Sequence, residues 1–437
     1  MLVNLIDNIV DRTPPKILAG ALKHIPRAIF DWKNKKSFRD TVCYAYKHSP
    51  FYRRKFQELK IDPAKVRSPS DLGDFYTNSI DIIESAEEFL CRDPHIVFES
   101  SGTTGKNKRI YLTHDELDDI GHIMAVGLHL GGVTKDDRLV NALDFNIWIP
   151  GMIAHKCLEK SGFFGIDAGK IDPIEVYKRI PIYKFNVIMG EPTWLIKLTE
   201  IAEEKGSYPL KLIVGGAEDM PPAARPWMEK VWQGAQVRMV YASVESAGIM
   251  AFEPSPECGG YHIDENNFTV EIMNPDKDGY GEVVFTTLSR RTMPLIRYRN
   301  RDITKIIDEK CSCGLPFRRL AKLRGRADEM VVASGGNLYP LMFSNILTDV
   351  EGITSDWQIV IKRAGIKEVM EFNLESSHES LKEKIKEKIF DNIKERYPDL
   401  WKNLSLGIFE TEFIYHAPHT LRTKIKLLRL VDKRYIN

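Results

Sequence analysis

Apolar positions along the chain change their spacing three times, and each change marks a change of architecture. Up to about residue 75 the spacing is helical, with basic and aromatic residues interleaved as in Phe38–Tyr52. From about residue 92, short apolar runs alternate with amphipathic stretches. His95–Phe98 and Arg109–Leu112 are strand-like around a turn rich in Gly, Ser and Thr. His114–Gly131 is helical, and Thr113 and Glu116 stand at the spacing of a capping box. Strand-like runs recur at Leu139–Leu143, Asn186–Met189, Leu210–Val214 and Val237–Tyr241, with helical stretches at Thr193–Glu204 and Pro222–Trp232. Strands separated by helices predict crossover connections and a parallel sheet. Past Ala251 the pattern becomes that of hairpins, with Thr269–Met273 and Glu282–Thr287 flanking the turn Asn274-Pro-Asp-Lys-Asp-Gly. From about residue 327 a separate α+β unit is expected, and the Lys/Glu-rich helix Glu379–Glu395 reads as a solvated face.

The 437 residues exceed one compact core, so two domains are expected. A net charge of +1, from 62 basic and 61 acidic residues, excludes an overall field that recruits nucleic acid or an anionic membrane. No apolar run approaches the ~20 residues of a membrane span. Asp7 and Asp11 interrupt the N-terminal stretch, which therefore lacks the core of a signal peptide. A cytoplasmic enzyme is the expectation, and a homodimer is compatible with it.

Chemistry concentrates first at Ser100-Ser101-Gly102-Thr103-Thr104-Gly105-Lys106-Asn107-Lys108. Glycines let the backbone turn tightly and present its amides, the hydroxyls add donors for phosphate oxygens, and Lys106 and Lys108 supply charge. Gly102 and Gly105 are too close together for a P-loop.

This loop resembles the pyrophosphate-binding loop of the adenylate-forming superfamily of acyl-CoA synthetases, and further motifs follow in that superfamily's order. Gly216-Ala217-Glu218 looks like its adenine-binding turn. Tyr241-Ala242-Ser243-Val244-Glu245 looks like the motif that stacks adenine and places a carboxylate on magnesium. Tyr298-Arg299-Asn300-Arg301-Asp302 resembles the motif whose aspartate bonds the ribose hydroxyls. Arg324-Gly325-Arg326-Ala327-Asp328-Glu329 resembles the interdomain hinge, with Asp328 at the pivot. The phenylacetate–CoA ligase group is the match for Met293-Pro294-Leu295-Ile296-Arg297-Tyr298 and for Gly335-Gly336-Asn337-Leu338-Tyr339-Pro340, over roughly residues 40 to 437.

The resemblance implies an α/β fold: a large adenylation domain, 1–326, of mixed and parallel sheets packed with helices, and a small mobile α+β lid, 327–437. It implies ATP, magnesium, coenzyme A and a small carboxylic acid as reactants and partners. The product is an acyl-CoA thioester formed through an acyl-AMP, with an aromatic acid such as phenylacetate as a candidate. Transfer to a protein thiol or an amine, or a non-catalytic nucleotide-binding role, are the alternatives. Lys426 matches the family's catalytic lysine, followed by Arg429 and Val431-Asp432-Lys433-Arg434. Ile425 replaces the glycine that precedes it there, so Lys424 is a rival. The small Gly335-Gly336 turn suits passage of a pantetheine arm. Ala242 and Val244 depart from the superfamily's glycine and hydroxyl residue, and Asp144–Gly151 departs from the group's acyl-pocket run. Phe145 and Trp148 either line that pocket or fill core. Asp302 has an alternative use as the partner of Arg299 or Arg301.

Six cysteines form no disulfide framework. Cys258-x-x-x-His262 and Cys311-x-Cys313 instead offer three thiolates and an imidazole in turns of the hairpin region, the closed set of a structural zinc. Cys43, Cys91 and Cys157 read as ordinary thiols.

Overall fold

The architecture comes from a computed structural model. It describes residues 10, 12–100, 107–218, 220, 224–327, 330–333, 336–376, 379–418, 420–421 and 427–434. The expectations for Ser101, Gly102, Thr103, Thr104, Gly105, Asp328, Gly335, Lys424 and Lys426 lie outside the described residues.

Helices α1 (Pro15–Leu22), α2 (Arg27–His48), α3 (Pro50–Glu58) and α4 (Ser79–Ser85) come first, then the ribbon β1 (Ile96–Glu99) and β2 (Arg109–Leu112) around the glycine-rich loop. Helix α5 (His114–Leu130) begins at a capping box in which Thr113 N–H donates to the Glu116 carboxylate at 3.0 Å. The sheet is then built by β3 (Arg138–Asn141), α6 (Pro150–Ser161), β4 (Phe164–Asp167), α7 (Pro173–Tyr183), β5 (Val187–Gly190), α8 (Pro192–Lys205), β6 (Leu212–Gly215), α9 (Ala224–Val231) and β7 (Gln236–Ser243). Strands β4-β3-β5-β6-β7 run parallel in that order. Strands β5 and β6 are buried throughout, as the continuous apolar runs require when helices cover both faces.

Strands β8 (Gly248–Phe252) and β9 (Tyr261–Ile263) extend this sheet antiparallel. The hairpin layer β10 (Phe268–Met273), β11 (Gly281–Thr287) and β12 (Tyr298–Thr304) stands apart as a three-stranded sheet. Short strands β13 (Ile306–Ile307) and β14 (Arg319–Leu320) return to the edge of the large sheet beside β9, making nine strands.

Beyond it lie the two-stranded β15 (Val331–Ala333) and β16 (Gly336–Leu338), helix α10 (Pro340–Leu347), and a four-stranded sheet. That sheet holds β17 (Trp357–Ala364), β18 (Lys367–Glu375), β19 (Glu410–His416) and β20 (Leu430–Asp432), covered by α11 (Lys382–Arg396) and α12 (Pro398–Ser405). This unit has its own core around Phe343, Phe372 and Ile389. On α11 the isoleucines at 385, 389 and 393 are buried while Lys and Glu face outward, so the charged run is a solvated face. The unit docks on α8, where Ile366 and Ile408 join the core of the large sheet and Lys367 pairs with Glu200 at 3.1 Å.

Two expectations change. The segment 144–185, for which the pattern predicted no element, contributes α6, β4 and α7. His262 lies in strand β9 rather than in a turn. Among the described residues no helix is long and apolar enough to cross a membrane.

Candidate active site

A cleft of about 590 Å³ opens where β6 and β7 end and where β15, Tyr339 and the end of β20 approach. Ligands in open α/β sheets bind at such carboxyl ends of strands. Ser100, Lys108, Gly216, Ala217, Glu218, Tyr241, Ala242, Glu245, Asp302 and Arg326 all line it. Ten of the residues singled out by motif, drawn from five stretches of chain, therefore share one space.

On one wall Lys108 Nζ is buried against the Glu245 carboxylate, which also accepts from the Tyr298 hydroxyl at 3.0 Å. Burial opposes ionisation of Glu245, but the Lys108 ammonium and the Tyr298 hydroxyl outweigh it and hold the carboxyl at about 2. Burial likewise disfavours the Lys108 cation, and Glu245 outweighs it, so that Lys108 is raised. The turn that presents Glu245 is knotted locally. Ser243 N–H donates to Ser246 Oγ at 3.0 Å, and Ser246 N–H to Ser243 Oγ at 3.1 Å. The fully buried Arg290 donates to the carbonyls of Glu245 and Ser246 at 2.6 and 2.5 Å. Burial lowers that guanidinium to about 10. Ser243 thus serves the turn and does not replace the hydroxyl missing at Val244.

The opposite wall is a network on Asp302. Its Oδ2 accepts from the Tyr241 hydroxyl and from Asn300 Nδ2, both at 2.6 Å, and its Oδ1 accepts from Arg326 Nη1 at 2.7 Å. Burial, then Asp302, raises the Tyr241 phenol well above its ordinary value, so the hydroxyl stays a donor. Arg299 and Arg301 go instead to Glu282, at 2.7 and 3.6 Å, and the alternative pairing of Asp302 is not the one formed.

At the floor, Ala217 takes φ +73°, and a Cβ on Gly216 would lie 2.8 Å from Val240 Cγ2. The turn passes closely over β7 only because residue 216 has no side chain. Glu218 accepts from Thr193 Oγ1 at 2.9 Å, beside the buried pair Lys170–Glu191. Burial and the carboxylates of Glu191 and Glu368 push Glu218 up to about 8. Its carboxyl ties the turn to the start of α8. Among the described residues the buried Ser100 Oγ has no hydrogen-bond partner, an unusual state for a hydroxyl unless a ligand completes it. In the acyl-pocket segment Trp148 lines the cleft, whereas Phe145 packs at Gly151 and Gly169. Gly336 pairs with Ala333 across the β15–β16 ribbon.

A model of the family described as "AMP-binding enzyme" matches residues 34–283, more than half of the chain. The chain belongs to this family. It is 28% identical over 374 residues to the phenylacetate-coenzyme A ligase of Thermus thermophilus, covering 82% of this chain and 83% of that one. The phenylacetate-coenzyme A ligase of Escherichia coli is 28% identical over 352 residues, with 77% and 80% covered. Among solved structures, 2-hydroxyisobutyryl-CoA ligase in its thioesterification state, with 2-HIB-AMP and CoA, superposes with a TM-score of 0.77 at 21% identity. That match covers 94% of this chain and 91% of the other. The same ligase in its postadenylation state reaches 0.66. The fold is that of adenylate-forming CoA ligases.

Away from the cleft, ligand atoms of Cys258, His262, Cys311 and Cys313 lie within 4.8 Å of one another. Tetrahedral ligands about 2.3 Å from an ion stand roughly 3.8 Å apart, so the set fits a metal. His262 Nδ1 donates to the Phe317 carbonyl at 3.0 Å, which leaves Nε2 facing Cys313 Sγ at 3.2 Å. A Cβ on Gly260 would strike the Leu320 carbonyl at 2.4 Å, so only glycine lets this loop close on β14.

Motif reading missed Arg290, Lys170, Glu191 and Thr193. Arg290 carries no signal beyond its place before Met293-Pro294, and the Lys170–Glu191 pair joins two loops that only the fold brings together.

Proposed function

We propose that the protein is an ATP-dependent acid–CoA ligase. A carboxylate oxygen attacks the α-phosphorus of ATP, the bond to the β-phosphate oxygen breaks, and acyl-AMP and pyrophosphate form. The thiol of coenzyme A then attacks the acyl carbon, loses its proton, and expels AMP with the oxygen that joined the two. The observation that carries this reading is the cleft itself, where an unpartnered buried hydroxyl, a charged Lys–Glu pair and the Asp302 network face one space.

In this reading the first step gathers negative charge at phosphorus, and groups already in place offset it without reorganising. Ser100 and the loop from Ser101 to Gly105 take the departing phosphates, with Lys108 supplying charge. Asp302 receives the ribose hydroxyls, Tyr241 covers the adenine, and Gly216-Ala217 lie along its edge. Glu245, ionised and facing the cleft, would hold magnesium, which when bound neutralises phosphate charge. Lys426 stabilises the α-phosphate in adenylation, Asp328 is the pivot of the small domain, and Gly335-Gly336 border the path of the pantetheine arm. The acid is an aromatic one, with Trp148 against it. Cys258, His262, Cys311 and Cys313 hold a structural zinc. These four residues would join β9 and the turn before it to the loop before β14, and Thr304 Oγ1 at the end of β12 donates to the Ala321 carbonyl just after β14 at 2.8 Å.

The test is pyrophosphate release with a panel of acids, with and without CoA. Acid-dependent release accelerated by CoA, with thioester formed in equal amount, is expected. Release indifferent to CoA would point to another acceptor, and no release with any acid to a non-catalytic protein.

A further inference from the structure

Behind the cleft lies a second space of about 120 Å³, enclosed by α1, the start of α2, α5 and the strands β6 to β8. Met124, Val240 and Ile249 line both it and the cleft, so the two spaces adjoin at these three apolar side chains. The walls are apolar, among them Leu22, Phe30, Leu212 and Phe252. Five polar residues also line it, Lys33, Arg238, Glu253, Asp264 and Asn266, and the Asp264 carboxylate accepts from Asn267 Nδ2 at 2.8 Å. Lys33 Nζ donates to the Asn266 carbonyl at 3.2 Å, Arg238 Nε to the Pro254 carbonyl at 2.8 Å, and Glu253 pairs with Arg225 at 2.6 Å. A cavity of this size is roughly what a benzene ring fills.

The glycines of α5 supply an independent observation. A Cβ on Gly121 would meet Lys156 Cβ at 2.4 Å, so that glycine exists to let α6 approach. Gly127 lies inside the same helix, and a Cβ there would meet nothing within 4 Å. A mid-helix glycine weakens a helix, and no packing contact accounts for this one. It stands on the cavity wall, with Gly131 one turn on.

We propose that this cavity is the distal part of the acyl pocket, and that the substrate is a carboxylic acid with an unbranched apolar tail reaching past Met124 to Gly127. The inference rests on the ligase reading above and widens its aromatic acid to the class of phenylalkanoic and medium-chain alkanoic acids. Met124 is unbranched and can swing aside to join the two spaces.

The test is adenylation by the full-length protein with straight-chain acids of increasing length and with ω-phenylalkanoic acids, read as kcat/KM from pyrophosphate release. Each methylene that enters the cavity is worth about fourfold, so kcat/KM should climb stepwise and then stop once the cavity is full. Gly127→Leu should lower kcat/KM for tailed acids at least tenfold and leave short acids within about twofold. Turnover of the short acids shows that the variant is folded. Met124→Ala should ease the entry of tailed acids. A profile flat with length in the unaltered protein overturns the inference while leaving the ligase reading intact, as does an equal loss on all acids in Gly127→Leu. Pyrophosphate release with none of the acids overturns both.

Discussion

Replacing Glu245 by glutamine removes one charge from a pair that the cleft keeps out of water. In the folded protein the Glu245 carboxyl sits at about 2, against an ordinary value of 4.5. That difference of about 2.5, at 1.36 kcal/mol per unit, corresponds to about 3 kcal/mol of stability. Stranding a buried cation points the same way, at about 3–5 kcal/mol. The raised Lys108 describes the same interaction and is not added. The sign follows from the shifts. Glu245, depressed on folding, contributes fully above pH 4.5 and loses its contribution as pH falls towards 2. Lys108, raised on folding, contributes below 10.5. The pair therefore stabilises across neutral pH. For an adenylation domain of this size, about 3 kcal/mol corresponds to a fall of roughly 5 °C in Tm. Thermal unfolding of wild type and Glu245→Gln at pH 7 should show that gap, and repeating it below pH 4.5 should show it narrowing. Pyrophosphate release should fall about a hundredfold as well under the proposal that this carboxylate would hold magnesium. A variant equal to wild type in Tm at pH 7, or a gap that widens in acid, would refute the argument.

Asp302→Asn removes the negative charge and one of the two acceptor oxygens that serve Tyr241, Asn300 and Arg326, and should raise the KM for ATP at least tenfold, since a hydrogen bond to a charged group is worth about 1.5–3 kcal/mol; an unchanged KM in initial-rate kinetics rules out ribose recognition here. Lys426→Ala should slow adenylation about 10²-fold and spare thioester formation from supplied acyl-AMP. The same split in Lys424→Ala instead would transfer the role to Lys424. Asp328→Pro, which fixes φ near −65°, should impair the thioester step and largely spare adenylation; wild-type rates in both would end the hinge assignment. Protein purified without added metal should carry near-stoichiometric zinc, lost together with several degrees of Tm in Cys311→Ser/Cys313→Ser. Metal-free protein of full stability would dismiss the zinc.

What could be read in the sequence was what is local. The capping box of Thr113 and Glu116, the all-apolar β5 and β6, and the hairpin around Asn274–Gly279 each fall within one short window. The segment 150–183 was missed because its cues conflict. Pro150-Gly151 reads as a turn yet opens α6, and Pro181 sits inside α7. The site was legible as motifs but not as partnerships. Lys108 and Glu245 are 137 residues apart, and nothing in either stretch names the other. Arg299 and Arg301 look like partners of Asp302 by proximity, but strand alternation and the neighbouring Glu282 draw them away, and Arg326 arrives from 24 residues on. Glu218 sits within a motif, yet its environment is set by Thr193 and by the small domain's Glu368, which no local pattern contains.

Activation through an acyl-adenylate bonds one of the acid's own oxygens to the α-phosphorus. The most direct measurement is the fate of that oxygen. With an acid labelled with ¹⁸O in its carboxylate, incubated with ATP, magnesium and CoA, mass spectrometry of the products should find one labelled oxygen in AMP for each thioester formed. Pyrophosphate should be unlabelled. Label in orthophosphate with ADP as the nucleotide product, or thioester formed with unlabelled AMP, would contradict an acyl-adenylate.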